Sequence, residues 1–316
     1  MSLSVLYRAP GEEEAWDVTT LVTACTWTTK RTGSPAALEL TVLRSETAWA
    51  CGGMVAARRD GETFFQGYVF KVSSGEGEEL NLTVYDQLRY LKYKESYVFE
   101  GQRADQILAQ IAADFKLKTG DLPNTGYVSP RLVEDGTSLL DIILKALDLT
   151  LVHGGQMFYL WDDCGALRLG EVAGEGDLPV IGDGSLATGY TYDVDIDGET
   201  YNQIKLVQGD GEEGNRKSVM RHDPETQALW GILQDYQQVN GEMNEAQMRQ
   251  EAERRLELYN RPARTLELRA LALPEVRAGK TVYIRIGREG LEQPFLVEEA
   301  RHDLMAETMN LKVKVI

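Results

Sequence analysis

The string Asp193-Val194-Asp195-Ile196-Asp197-Gly198 spaces three carboxylates two residues apart and ends on glycine, as a calcium loop of the EF-hand type begins. That loop needs a bidentate glutamate at its twelfth position, where this chain has Ile204, and helices on both sides, where the flanks alternate like strands. On a strand, Asp193, Asp195 and Asp197 line one solvated face up to a glycine turn, and weak calcium binding is the most they support. The 3 histidines do not fall into any catalytic pattern. His153 precedes two glycines, His222 precedes Asp223-Pro224, and His302 precedes Asp303 in a strand, so each is read as a packing or surface residue. There is no G-x-S-x-G elbow, no H-E-x-x-H helix and no P-loop. Paired acids such as Asp162-Asp163, Glu12 to Glu14 and Glu298-Glu299 read as turns or solvated strand faces. The basic pairs Arg58-Arg59 and Arg254-Arg255 are short and lack the interleaved aromatics of a single-strand binding surface. The expectation is no catalytic residue, no cofactor and no metal site.

With 50 acidic against 33 basic residues the formal charge is −17, which repels phosphate backbones and disfavours a protein that grips nucleic acid. The same acidity suits a wall past which DNA slides. Cys25, Cys51 and Cys164 are too far apart for a C-x-x-C site and are read as buried free thiols. No apolar run approaches the roughly 18 residues of a membrane span, and the N-terminus lacks a secretory pattern, so synthesis in a cytoplasm is expected. A chain of 316 residues with 43% hydrophobic and 26% charged content has room for more than one core.

These side chains are carried mainly by strands. Ala36 to Leu43 and Leu80 to Tyr85 read as half-buried strands, and Asp60-Gly61 as the tip of a hairpin joining MVAARR to ETFFQGYVF. After Tyr85 the pattern turns helical, with Leu88 and Leu91 three apart. Arg103 to Lys116 and Ser138 to Leu149 are amphipathic helices, the second opened by Ser138 with Asp141 three residues on. A second hairpin turns at Asp162-Asp163-Cys164-Gly165. Residues 170–189 are so rich in glycine and acid that they read as a linker, and 209–215 as an exposed loop. A long helix from about Asn244 to Tyr259 follows, with Asn244 as cap, Ala252, Leu256 and Tyr259 as apolar stripe, and Glu251 with Arg255 paired on the solvent side. Val282, Ile284 and Ile286, then Met309, Leu311, Val313 and Val315, alternate with polar residues as one-sided strands. The fold class is therefore α+β and mainly β, with a β domain at 1–95, an α/β insert with its linker at 96–185, and a β domain with one long helix at 186–316.

Several of these strings, in order along the chain, resemble the PBSX-type (XkdQ/YqbQ-like) tail proteins, the baseplate hub subunits of contractile phage tails and tail-like particles. The specific one is Tyr85-Asp86-Gln87-Leu88-Arg89-Tyr90-Leu91-Lys92. Asp17-Val18-Thr19, Trp27 and Arg31 to Pro35 match the opening, Phe65-Gln66-Gly67-Tyr68-Val69-Phe70 a strand, Asp141-Ile142-Ile143 the central helix, and Val276-Arg277-Ala278-Gly279 a late turn.

That resemblance implies two tube-forming β-barrel domains flanking the insert, three copies closing a ring around a channel, and a hub that joins the tail tube to the spike. It is similar in turn to the hub part of type VI secretion spikes. The implied partners are the homotrimer itself, tail tube protein, spike protein and baseplate wedge proteins, with phage DNA passing through unbound. The location is a virion or tail-like particle baseplate, and piercing and wall-cutting functions lie on other chains. For the residues, it implies that Tyr85 and Tyr90 pack the first barrel against the insert, that Asp86 caps the short helix and that Arg89 pairs locally. The readings set against it are a tail-associated cell-wall hydrolase and a carbohydrate-binding adhesin.

Overall fold

The computed structural model describes residues 2–172, 177–209, 217–239 and 243–315. Strands from both ends of the chain join one 13-stranded sheet. Seven come from the N-terminal side, between Leu3–Arg8 and Glu79–Tyr85, and six from the C-terminal side, between Val180–Gly182 and Thr308–Val315. The seam is the antiparallel pairing of Leu291–Asp303 with Val22–Lys30, in register from Glu299 opposite Lys30 to Asp303 opposite Thr26. Arg31 reinforces it with a backbone N–H to the Glu298 carbonyl and a guanidinium 2.9 Å from the Glu298 carboxylate.

The architecture is α+β and mainly β, and period-two alternation is its local cause. Val5, Leu38, Leu40, Val55, Leu82 and Val84 face one core. Leu266, Val282, Ile284, Phe295, Val297 and Leu311 face another. The Asp60-Gly61 tip has φ of 50° and 89°, the left-handed pair that a two-residue hairpin turn requires.

Between the two halves, residues 87–171 form the first insert. Helices α1 (Ala104–Asp114) and α2 (Leu139–Gly154) bury Ile107, Leu108, Ile111, Ile142 and Ile143 against Phe99 and Leu132 of a two-stranded ribbon and Leu160 of the hairpin Phe158–Asp162. Ser138 accepts the Asp141 N–H at 3.1 Å, and Gly155, with φ of 73°, ends α2.

A second insert leaves the large sheet between Asp195 and Ala263. Strand Gln203–Gln208 pairs antiparallel with Lys217–His222 and parallel with Gln234–Gln238. Helices α3 (Pro224–Trp230) and α4 (Glu245–Tyr259) complete the unit, with Ile204, Leu206, Val219, Met248 and Ala252 as its core. A β unit with one long helix over 186–316 did not contain this subdivision, because KSVMRH and QDYQQ lack the apolar alternation that marks a strand. The exposed loop expected at 209–215 lies, beyond Gly209, outside the described residues.

Three expectations need correction. The 170–189 segment holds a strand after all: Val180–Gly182 pairs in parallel with Tyr283–Arg285. Gly182 permits it, since a Cβ there would lie 1.9 Å from the Arg285 carbonyl oxygen. Glu251 and Arg255 are buried rather than solvent-facing, because α4 packs that face against α2. Of the cysteines, Cys25 is buried, whereas Cys51 is exposed on the turn before Met54 and Cys164 is half-buried. Among the described residues no helix is long and apolar enough to cross a membrane.

Candidate functional site: a buried charged joint

Four sequence strings far apart in the chain meet where the first insert sits on the large sheet. They are Trp27, Phe64 to Gln66, Asp86-Gln87 and Val276 to Lys280, with the Asp162 hairpin closing the joint from the insert side.

Asp86 ends the strand Glu79–Tyr85 and opens the short helix Gln87–Lys92. Its Oδ1 accepts the Leu88 N–H at 3.1 Å, and its own N–H donates to the Ala36 carbonyl at 3.1 Å. The side chain is 2% exposed, and Oδ2 has no hydrogen-bond partner among the described residues. Burial, and then the neighbouring Asp162 carboxylate, push the Asp86 carboxyl well above its ordinary range, against the opposing pull of Arg277.

Asp162 closes its strand and holds both sides of the joint. It accepts from Gln87 Nε2 at 3.2 Å and from the Gly165 N–H at 3.1 Å, the latter fixing the hairpin turn. Burial raises this carboxyl too. Cys164 at the turn tip lies 3.4 Å from the Thr63 carbonyl, so the tip rests on the strand Glu62–Ser74.

Arg277 comes from the loop before Thr281–Ile286. The residue keeps part of its surface open, but its Nε is buried and the guanidinium lies between two indoles, 5.8 Å from the Trp27 ring and 5.9 Å from Trp161. Burial lowers its affinity for the proton, and Asp86 is the first group that restores it. Next to it, Ala278 N–H donates to Thr29 Oγ1 at 3.0 Å, and Gly279 has φ of 89°. A Cβ on Gly279 would lie 2.2 Å from the Tyr159 ring, so glycine lets the loop press against the insert. His302 completes the floor: it is fully buried, stacks on Trp27 at 5.2 Å, and its Nε2 lies 2.8 Å from the Val276 carbonyl. Burial lowers its pKa, which favours the neutral ring.

The rest of the 85–90 string divides between two neighbours. Leu88 and Leu91 turn into the core of the first insert. Tyr85 and Tyr90 instead lie against Phe70 of the sheet at 5.6 and 5.8 Å, and Tyr90 also meets Tyr68. Arg89 places its guanidinium 5.3 Å from the Phe70 ring. Asp86 and Gln87 thus lie in the joint, while Tyr85, Arg89 and Tyr90 lie on the open side of the sheet.

The three-aspartate string is the end of the strand Ala187–Asp195, where Asp193 and Asp195 pair opposite Thr265 and Ala263, followed by a turn at Asp197-Gly198. Asp195 Oδ1 accepts the N–H groups of Asp197 and Gly198 at 3.1 and 3.2 Å, which ties the carboxylate to its own backbone. Among the described residues no cluster has the side chains of a metal site.

Sequence reasoning missed Asp162 and Arg277 as partners of Asp86. Each was visible only as part of a turn, and their meeting depends on the seam between chain ends. Two carboxyls, a guanidinium and two indoles thus meet in a buried setting where the first insert sits on the sheet.

The YqbQ-like family model matches residues 25–314, which include every residue of this joint. The chain belongs to the YqbQ-like family. A curated relative, the phage-like element PBSX protein XkdQ of Bacillus subtilis, is 32% identical over 270 residues, covering 84% of this chain and 81% of the relative. The fold is shared with solved tail proteins at 14% identity. The 43 kDa tail protein of prophage MuSo2 from Shewanella oneidensis has a TM-score of 0.70, covering 99% of this chain and 98% of the other. The tail protein of Neisseria meningitidis MC58 has a TM-score of 0.71, covering 100% and 97%. This YqbQ-like chain has the fold of those tail proteins.

Proposed function

We propose that the chain is a baseplate hub subunit of a contractile phage tail or tail-like particle. Three copies close a ring that joins the tail tube to the spike and surrounds the DNA channel. The observation that carries this reading is the 13-stranded sheet assembled from both ends of the chain, with a separate core under each half. Two such halves per chain supply six similar curved elements in a trimer, the number needed to pass from a sixfold tube to a threefold spike. In this reading 1–95 and 186–316 are the tube-forming units, 96–185 stands outside them, and the buried joint holds it at a fixed angle.

The partners on this reading are tail tube protein, spike protein and wedge proteins, and the location is the baseplate. DNA passes without being bound, and acidic side chains line the channel. Imaging the assembled particle down its axis tests these points. A closed threefold ring with an acid-lined pore is the expected image; an open or monomeric arrangement in the particle, or basic patches facing the pore, overturns it.

A further inference from the structure

Lys71, Arg89, Lys92 and Lys94 lie among tyrosines on a chain whose net charge is −17, while the acids of the same stretch are set apart, Glu76, Glu78 and Glu79 toward the far hairpin end of its two strands and Asp86 in the buried joint. Leu88 and Leu91 turn inward, which leaves Arg89, Tyr90, Lys92, Tyr93 and Lys94 on the outside. Tyr90 is 42% exposed and meets Tyr68 and Phe70, with Tyr85 beside Phe70, while Tyr93, 64% exposed, leans on Phe115 of the insert at the edge of this surface. Lys71, next along from Phe70, adds a fourth cation. None of Lys71, Arg89, Lys92 and Lys94 forms an ion pair among the described residues; the adjacent Glu95 is turned to the Ser96 N–H. Read as basic pairs, the sequence hides this surface, because its cations are separated by tyrosines and a leucine.

The same chain carries a counterpart. Glu12, Glu13, Glu14 and Asp17 are exposed around Trp16, itself 61% exposed, at the end of the sheet farthest from the seam. The three glutamates form no ion pair among the described residues. Trp16–Asp17 is a two-residue edge strand, too short to recruit a partner by backbone pairing alone, so its side chains must supply the contact.

We propose that the Tyr68–Lys94 surface receives the Glu12–Asp17 segment of a second copy of this chain, with Trp16 among the tyrosines and the glutamates on the lysines. Charge complementarity selects this occupant, and indole against tyrosine and ammonium supplies the stacking. The contact is heterologous, one face of a copy against a different face of the next, which is the kind that closes a ring. It rests on the ring reading only in naming that neighbour.

The test uses the full chain and a fluorescent peptide of residues 9–18. The peptide is expected to bind, and the Lys92→Glu/Lys94→Glu chain to bind it about tenfold more weakly, as does a Trp16→Ala peptide. Both lysines are exposed, so matching unfolding curves confirm the variant's fold. No binding, binding indifferent to the reversal, or capture of oligothymidylate in preference to the peptide overturns the proposal. Native mass measurement separates it from the ring reading. Glu12→Lys/Glu14→Lys and Lys92→Glu/Lys94→Glu are each expected to dissociate the oligomer, and the chain carrying both reversals to reassociate. An oligomer unaffected by either reversal overturns the docking and leaves the ring standing. Copies that associate in solution and are separated by either reversal, but form no closed threefold ring in the particle, overturn the ring and leave the docking standing.

Discussion

The guanidinium of Arg277 lies 5.8 Å from the ring of Trp27, and the two residues come from opposite ends of the chain. The sheet seam brings them together, and Asp86 and Asp162 supply the opposing charge from the middle of the chain. Replacing Arg277 with methionine removes the guanidinium from the two indole faces and from beside the two carboxyls. The expected loss is about 1–2 kcal/mol in urea unfolding. Arg277→Lys recovers only part of it, because an ammonium lacks the flat face that fits between two indoles.

Asp86 has separable roles as cap and as charge. Asp86→Asn keeps an oxygen for the Leu88 N–H and is expected to stay within about 1 kcal/mol of the native chain, whereas Asp86→Ala loses the cap and about 1–2 kcal/mol. The pH dependence has a definite sign. The folded carboxyl titrates above its unfolded value of about 3.9, so its contribution is present below that pH and is lost as pH rises through the folded value. Asp86→Asn should therefore gain on the native chain between pH 4 and pH 7, measured by paired urea titrations.

Gly279→Ala tests the press of the late loop against the insert. The new methyl meets the Tyr159 ring and the backbone has a positive φ, so a destabilisation of about 2–4 kcal/mol is expected. Gly184→Ala, also at positive φ but with open space around it, is expected to cost only about 1–2 kcal/mol. Thermal or urea unfolding of the two variants measures the contrast.

Acid should weaken the fold through two histidines. Burial lowers the pKa of His302, near the charges of Arg59 and Glu275, and of His153, which Glu251, Arg254, Arg255 and Asp148 surround. A depressed folded value means that the contribution is complete above the unfolded value of about 6.5 and is lost as pH falls below it. Relative to the His302→Gln chain, the native chain is expected to lose stability from pH 7.5 to 5.5, measured by paired urea titrations.

The contact between the inserts depends on a buried ion network. Arg255 Nε lies 3.1 Å from Glu251 and its terminal nitrogen 3.3 Å from Asp148 of α2, while Arg254 donates to the His153 carbonyl at the end of that helix. Glu251→Leu or Arg255→Leu alone strands a charge and should cost about 3–5 kcal/mol, and the double replacement less than either. A double-mutant cycle by urea unfolding measures the coupling.

The limits of sequence reading follow from which interactions are local. Asp60-Gly61, the Ser138 and Asn244 caps and the alternation of Val282 to Ile286 depend on residues a few positions apart, so pattern alone located them. Asp86 of the Tyr85–Lys92 string lies in the buried joint. Its partners were not legible: Trp27, Asp162 and Arg277 reach Asp86 only through pairings that span most of the chain.

The amino-acid sequence by itself determined the mainly β class, the three longer helices, the hairpins at Asp60-Gly61 and Asp162 to Gly165, and the family, because each is written in short-range periodicity or in a specific string. Tertiary structure alone decided the rest. One sheet rather than two, a strand inside the glycine-rich segment and the burial of Glu251 with Arg255 all depend on which surfaces meet. A carboxylate is a solvated face or the centre of a joint according to what packs over it, and no local pattern encodes that cover.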